Sequence, residues 1–139
     1  MNRLIKFRAW DKESNRMVDW AYLLSVAYGS NKIVDKNIDD SIFNDSDYEL
    51  MQFTGALSDG GKELYEGDII IFRDDEGDFI PRMRDSESYE VYWDNQKHSW
   101  GGRREQCGYA DKYDTRILGW NYYNYRIVGN IFENPELMK

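Results

Sequence analysis

The stretch from Gln52 to Phe72 reads Gln-Phe-Thr-Gly-Ala-Leu-Ser-Asp-Gly-Gly-Lys-Glu-Leu-Tyr-Glu-Gly-Asp-Ile-Ile-Ile-Phe, and it constrains the fold more than any other. Asp59-Gly60 is a turn signal, because glycine reaches positive φ without a steric penalty. Gly67-Asp68 marks a second turn. Ile69 to Phe72 is then a short apolar run of β-branched and aromatic side chains bounded by turn residues, the pattern of a buried central strand. The stretch therefore predicts a strand, a tight turn, an extended crossing segment and a core strand. Within it, Ile69 and Ile71 are expected to be more buried than Asp68 and Lys62. Asp68 is expected to bond a backbone N–H in its turn, with Gln52 and Thr54 doing the same on the other side.

A chain of 139 residues fits one domain and buries a core without a disulfide or metal staple. Its single cysteine, Cys107, excludes an internal disulfide and suits a reducing compartment. The opening Met1-Asn2-Arg3-Leu4-Ile5-Lys6 has no apolar leader, and no window approaches a membrane span, so a cytoplasmic protein with no membrane role is expected. The formal net charge of −8 disfavours nucleic acid as a partner, because phosphate backbones repel a chain of that sign. Aromatic residues make up 16%, which suits half-buried β faces that want large rings with a polar handle.

In chain order, Leu4 to Trp10 alternates, with Ile5, Phe7 and Ala9 on the core face. Asp11 to Asn15 turns the chain, and Arg16 to Trp20 returns as the hairpin partner. The Asp11-x-Glu13-x-Asn15 spacing starts like a calcium loop but fails at Arg16, where glycine is needed, and at Tyr22, where glutamate is needed. Trp20 to Tyr28 suits a short helix capped by Asp19 or a strand. Asp35 to Glu49 is an acid-rich loop, and Tyr48 to Thr54 resumes a strand. Arg73 to Asp78 is an acidic loop or hairpin tip. Tyr89, Val91 and Trp93 alternate with Glu90 and Tyr92 as a strand that turns at Asp94 to Lys97 and pairs back from His98 to Trp100. Arg103 to Asp114 reads as a polar loop and Ile117-Leu118 as a short helical turn. Tyr125 to Phe132 is the last strand. Asn134-Pro135 is an N-cap with proline at the first helical position, so a terminal helical turn should follow.

Three segments together resemble one family. Leu50-Met51-Gln52-Phe53-Thr54-Gly55 with Asp59-Gly60-Gly61-Lys62-Glu63-Leu64-Tyr65-Glu66-Gly67-Asp68-Ile69-Ile70 looks like the central motif of the YopX family of phage and prophage proteins. Ile5-Lys6-Phe7-Arg8-Ala9-Trp10-Asp11 is similar to its opening strand, and Ile127 to Leu137 to its closing one. The resemblance implies a single YopX-like domain over residues 1–139. It also implies a mainly β fold, a small SH3-like barrel with additional strands and a short C-terminal helical turn. It implies no activity, for the family carries no established biochemical function and no assigned catalytic residues.

The residues themselves offer little chemistry. His98 and Cys107 form the one Cys/His combination in the chain, and unrelated surroundings account for both. Gly61-Lys62 nearly spells a phosphate loop, but Ala56 replaces the required glycine and Glu63 the Ser/Thr. No cofactor or metal is implied. The reading adopted is a non-enzymatic phage or prophage accessory module that binds a protein partner, with self-association into a homo-oligomer expected. A nucleic-acid-associated small barrel and an uncharacterised enzyme are the alternatives. The residues expected to bind are the turn-flanking Trp10, Trp20 and Trp100, with an acidic rim from Asp74, Asp75 and Glu76.

Overall fold

The computed structural model describes residues 4–28, 47–73, 88–103, 116–117 and 124–138. The chain divides into two compact units, Met1–Phe53 and Thr54–Lys139. The described residues are mainly β: 55% lie in strands of two antiparallel sheets, one of which curls as a half-barrel, as the barrel expectation requires. No helix among them is long and apolar enough to cross a membrane.

In the first unit, β1 (Phe7–Asp11) lies between β2 (Arg16–Val18) and β3 (Tyr48–Leu57). Its register runs from Phe7 opposite Gln52 to Asp11 opposite Tyr48. Between β2 and β3 comes α1 (Trp20–Tyr28), which settles the helix-or-strand ambiguity. Asp19 is its cap: Oδ1 accepts the Tyr22 N–H at 2.8 Å. Ala9, Val18 and Leu23 form the core of this unit, with Phe7, Trp20, Tyr48 and Leu50 packed around them. Ile5 does not join Phe7 and Ala9 on the core face. It precedes the first ladder pair at Phe7, and 58% of its surface is exposed.

The end of β3 belongs to the second unit and turns through Ser58–Lys62 into β4 (Glu63–Tyr65). Then come β5 (Asp68–Arg73), β6 (Tyr89–Asp94), β7 (Ser99–Arg103), β8 (Arg116–Ile117) and β9 (Asn124–Asn130). The five-stranded sheet has the order β8-β7-β6-β5-β9, so the apolar run is one of its interior strands, next to β9 at the edge. Leu64, Ile70, Tyr89, Val91 and Trp100 make the core. Residue 117 lies in a strand rather than a helical turn, because the Gly101-Gly102 edge of β7 pairs with Ile117 and Arg116. Leu118 lies outside the described residues. A 3-10 turn at Pro135–Met138 is the expected terminal helical turn.

The burial expected inside β5 needs a correction. Ile69 and Ile70 are both fully buried, so this strand is covered on both faces there. Ile71 is half-buried, whereas Asp68 is only 2% exposed. The reason is the turn: Asp68 Oδ2 folds back to accept the Tyr65 N–H at 2.8 Å, which takes the carboxylate inside. Thr54 acts as expected, its hydroxyl donating to the Leu64 carbonyl at 2.9 Å and accepting the Ala56 N–H at 3.1 Å.

Candidate functional site

Two hairpins carry the same tip. Trp10-Asp11 opens the β1–β2 turn and Trp93-Asp94 the β6–β7 turn. In each, the aspartate accepts backbone N–H groups two and three residues ahead: Glu13 and Ser14 at 3.0 and 3.2 Å, Gln96 and Lys97 at 2.9 and 3.1 Å. Four residues after each aspartate, Asn15 and His98 take up left-handed φ values of 51° and 50°. Both carboxyls are held below the usual aspartate range. For Asp11 the first cause is the Ser14 hydroxyl, for Asp94 the Lys97 N–H.

The β6–β7 tip has the more distinctive surroundings. Alternation puts Tyr89, Val91 and Trp93 on one face and Glu90, Tyr92 and Asp94 on the other. Trp93 stands opposite Trp100 in the ladder, and their rings meet edge-on at 5.1 Å. Trp100 is sunk in the core at 9% exposure, while 37% of Trp93 remains in solvent. On the other face Arg103 makes two bonds of 2.9 Å to the Glu90 carboxylate, and its guanidinium lies 4.9 Å from the Tyr92 ring centroid. The Tyr92 hydroxyl donates to Asp94 at 3.3 Å. Tyr92, Trp93, Asp94, Lys97 and Arg103 line an open hollow of about 450 Å³ around the tip.

The sequence-predicted residues are distributed as follows. Trp10 and Trp20 belong to the first unit, both partly buried, and Trp20 packs on Phe7 at 5.9 Å. Trp100 belongs to the second unit as a core ring. Asp74, Asp75, Glu76 and Cys107 lie outside the described residues. His98 is an exposed turn residue. Among the described residues no three His, Cys, Asp or Glu side chains gather as a metal cluster. Trp93 flanks a turn in the sequence just as Trp10, Trp20 and Trp100 do, but it is not among the residues expected to bind, because a barrel core is expected to claim most of these rings. The available signal was its adjacency to Asp94, repeated at Trp10-Asp11, which marks a ring at the strand end.

The polar residues of the central and closing segments do structural work around these strands. Gly67 donates its N–H to the Val91 carbonyl at 2.8 Å and accepts from Ile131 at 2.9 Å. Asn130 Oδ1 accepts the N–H groups of Phe132 and Glu133 at 3.1 and 2.9 Å, which ends β9 two residues before the expected Phe132. Residues 6–139 match the family model described as YopX protein. The chain belongs to the YopX family. The family model runs across the division between the two units. Among solved structures, the chain is similar to protein EF1440 from Enterococcus faecalis, at 24% identity and a TM-score of 0.55, with 99% of this chain and 100% of that one covered. It is also similar to protein YopX from Bacillus subtilis, at 17% identity and a TM-score of 0.50, with 96% and 98% covered. These likenesses carry the YopX fold. No curated protein matches the chain.

Proposed function

We propose that this YopX-family chain is a non-catalytic accessory module of phage or prophage growth that acts by binding a protein partner through the β6–β7 tip. The observation that carries the reading is Trp93, an indole left 37% exposed yet steadied edge-on by the buried Trp100. A ring held in this way loses little conformational freedom when a partner covers it. Trp, Tyr and Arg are the side chains that dominate interface energetics, and Tyr92 and Arg103 stand at the same hollow. The net charge of −8 favours a partner whose docking face is cationic. Self-association belongs to the same proposal, and a light-scattering mass of 16.6 kDa at every concentration would remove it.

Affinity capture from infected or lysogenic cells, run in parallel with wild type and Trp93→Ala, tests the binding role. Wild type should retain a partner that the variant loses at least about tenfold, as truncation of an interface anchor requires. Circular dichroism confirms that the variant is folded. Equal capture by both proteins, or background alone with wild type, defeats the proposal.

A further inference from the structure

The Ser58–Lys62 turn runs beside β9 and borders an open cleft of about 380 Å³, lined by Ser58, Asp59, Gly60, Lys62, Arg126 and Ile127. The turn is pinned. The Ser58 N–H donates to the Lys62 carbonyl at 2.8 Å, Gly61 to Ser58 at 2.9 Å and Asp59 to the Tyr125 carbonyl at 3.0 Å. The Tyr125 hydroxyl closes the set by donating to the Leu57 carbonyl at 2.8 Å. Gly60 and Gly61 both occupy the left-handed region, with φ of 105° and 77°. A Cβ at Gly60 would meet nothing within 4 Å, so its backbone lies open to the cleft that it lines.

Among the described residues, the charges around this turn are not balanced. Lys12, Arg16 and Arg103 each face a carboxylate, while the Lys62 ammonium has no described partner. Arg126 touches Asp59 only loosely, at 3.6 Å. The cleft thus holds two cations and one acid in a chain whose net charge is −8. Glu63, which stands where a phosphate loop needs Ser or Thr, is not among the described lining residues. Its carboxylate accepts the Tyr65 hydroxyl at 3.0 Å.

We propose that this cleft binds a phosphate group, either as free inorganic phosphate or as the head of a small phosphomonoester. Lysine supplies a point charge and arginine a fork that matches two phosphate oxygens, and the open space at Gly60 lets an anion approach the backbone. A preorganised turn avoids the cost of ordering these donors on binding. The excess of acid over the rest of the chain restricts the ligand to a small anion, since a polyanion would meet repulsion beyond the cleft. Asp59 competes with the ligand for Arg126, and this gives the site a signature that a merely structural ion pair lacks.

The test is an NMR titration of the full-length chain with inorganic phosphate and, separately, phenyl phosphate, at ionic strength held constant with sodium chloride. The amides of Gly60, Gly61 and Lys62 and the Arg126 Nε–H should shift saturably. Lys62→Glu should weaken binding about tenfold or more, the loss of one charge-assisted contact. Asp59→Asn should tighten it, because the amide no longer holds the guanidinium. A preference for phenyl phosphate assigns the source as a phosphomonoester with its organic part on Ile127, whereas equal affinities assign it as the phosphate group alone. Shifts that do not saturate, that chloride reproduces or that survive Lys62→Glu unchanged overturn the proposal, as does weaker binding by Asp59→Asn.

Discussion

Replacing Gly129 by alanine tests the closing segment of the fold at one carbon atom. A methyl at this position of β9 would lie 2.9 Å from Asn134 Cβ, 2.7 Å from Cγ and closer still to Oδ1. Rotating Asn134 about χ1 moves Cγ and Oδ1 but leaves Cβ in place, so the overlap cannot be removed by the side chain alone. Rotation also breaks the 3.3 Å bond from the Asn130 N–H to Asn134 Oδ1. Overpacking of this kind costs about 1–3 kcal/mol, and a lost hydrogen bond adds about 0.5–1.5 kcal/mol. Alanine recovers about 0.4–1 kcal/mol by restricting the unfolded chain. The expected result is a destabilisation of about 1–3 kcal/mol. Urea unfolding followed by tryptophan fluorescence should show a lower midpoint with an unchanged slope. A double-mutant cycle with Asn134→Gly isolates the contact: in that background the cost of Gly129→Ala should shrink by at least about 1 kcal/mol. Wild-type stability for Gly129→Ala, or the same cost in both backgrounds, refutes the packing account.

Three further outcomes follow from the same sheet. Ile70→Ala, at a fully buried position, should cost about 2–5 kcal/mol, and Ile71→Ala less because that side chain is half-buried. Equilibrium unfolding that ranks them the other way would contradict the described β5. Asp68→Ala leaves the buried Tyr65 N–H without its acceptor and should cost about 1–3 kcal/mol, while Asp68→Asn keeps a carbonyl oxygen there and should cost less. Equal losses in thermal melts would show that the bond is not the cause. Asp11 and Asp94 have depressed folded pKa values, so each adds stability above the ordinary aspartate pKa that is lost as pH falls through the folded value. Stability measured against pH should therefore fall in the acid range below about pH 4. Asp11→Asn with Asp94→Asn should flatten that limb, and an unchanged limb would discount both tips.

Wherever residue type fixes backbone geometry locally, the fold was legible in the sequence. Asn134-Pro135 before a short turn and Asp59-Gly60 between two strands act within four residues of themselves, and each forms the expected turn, while Asp19 forms the cap of the helical alternative that the sequence left open beside a strand. Alternation marked the strand that carries Tyr89 and Val91 into the core for the same reason. What failed depended on partners distant in sequence. Ile117 became a strand because β7 supplied an edge, and Ile71 ceded burial to Asp68 because a turn drew a carboxylate inside. The candidate site was less legible still. Alternation states which face a ring shares but not how far the opposing strand and its neighbours cover it, so Trp93 and Trp100, a cross-strand pair, differ fourfold in exposure.

The most recognisable residues of a YopX chain are also the least informative about its role. Thr54, Gly67, Asp68, Gly129, Asn130 and Asn134 are each accounted for by a named bond or a close approach inside the second unit. A residue whose side chain closes a turn or makes room for a neighbour is constrained whatever the protein binds. Likeness carried by such residues therefore transmits the fold and leaves the partner open. Freedom to vary lies where the backbone is fixed and, among the described residues, the side chain closes no hydrogen bond or ion pair: at the indole of Trp93, held only by its ring contact with Trp100, and at the Lys62 ammonium. If those two positions do the binding, charge reversal at Lys62 should leave the unfolding midpoint nearly unmoved, and truncation at Trp93 should lower it only by the contact with Trp100, about 0.5–1.5 kcal/mol beyond its buried area, while each abolishes one interaction. The same substitutions at Asp68 or Gly129 would lower stability first and binding only through it. Measuring midpoints beside affinities for these four positions separates the two kinds of residue. A Trp93→Ala variant that loses stability in proportion to its binding would place the indole with the scaffold instead.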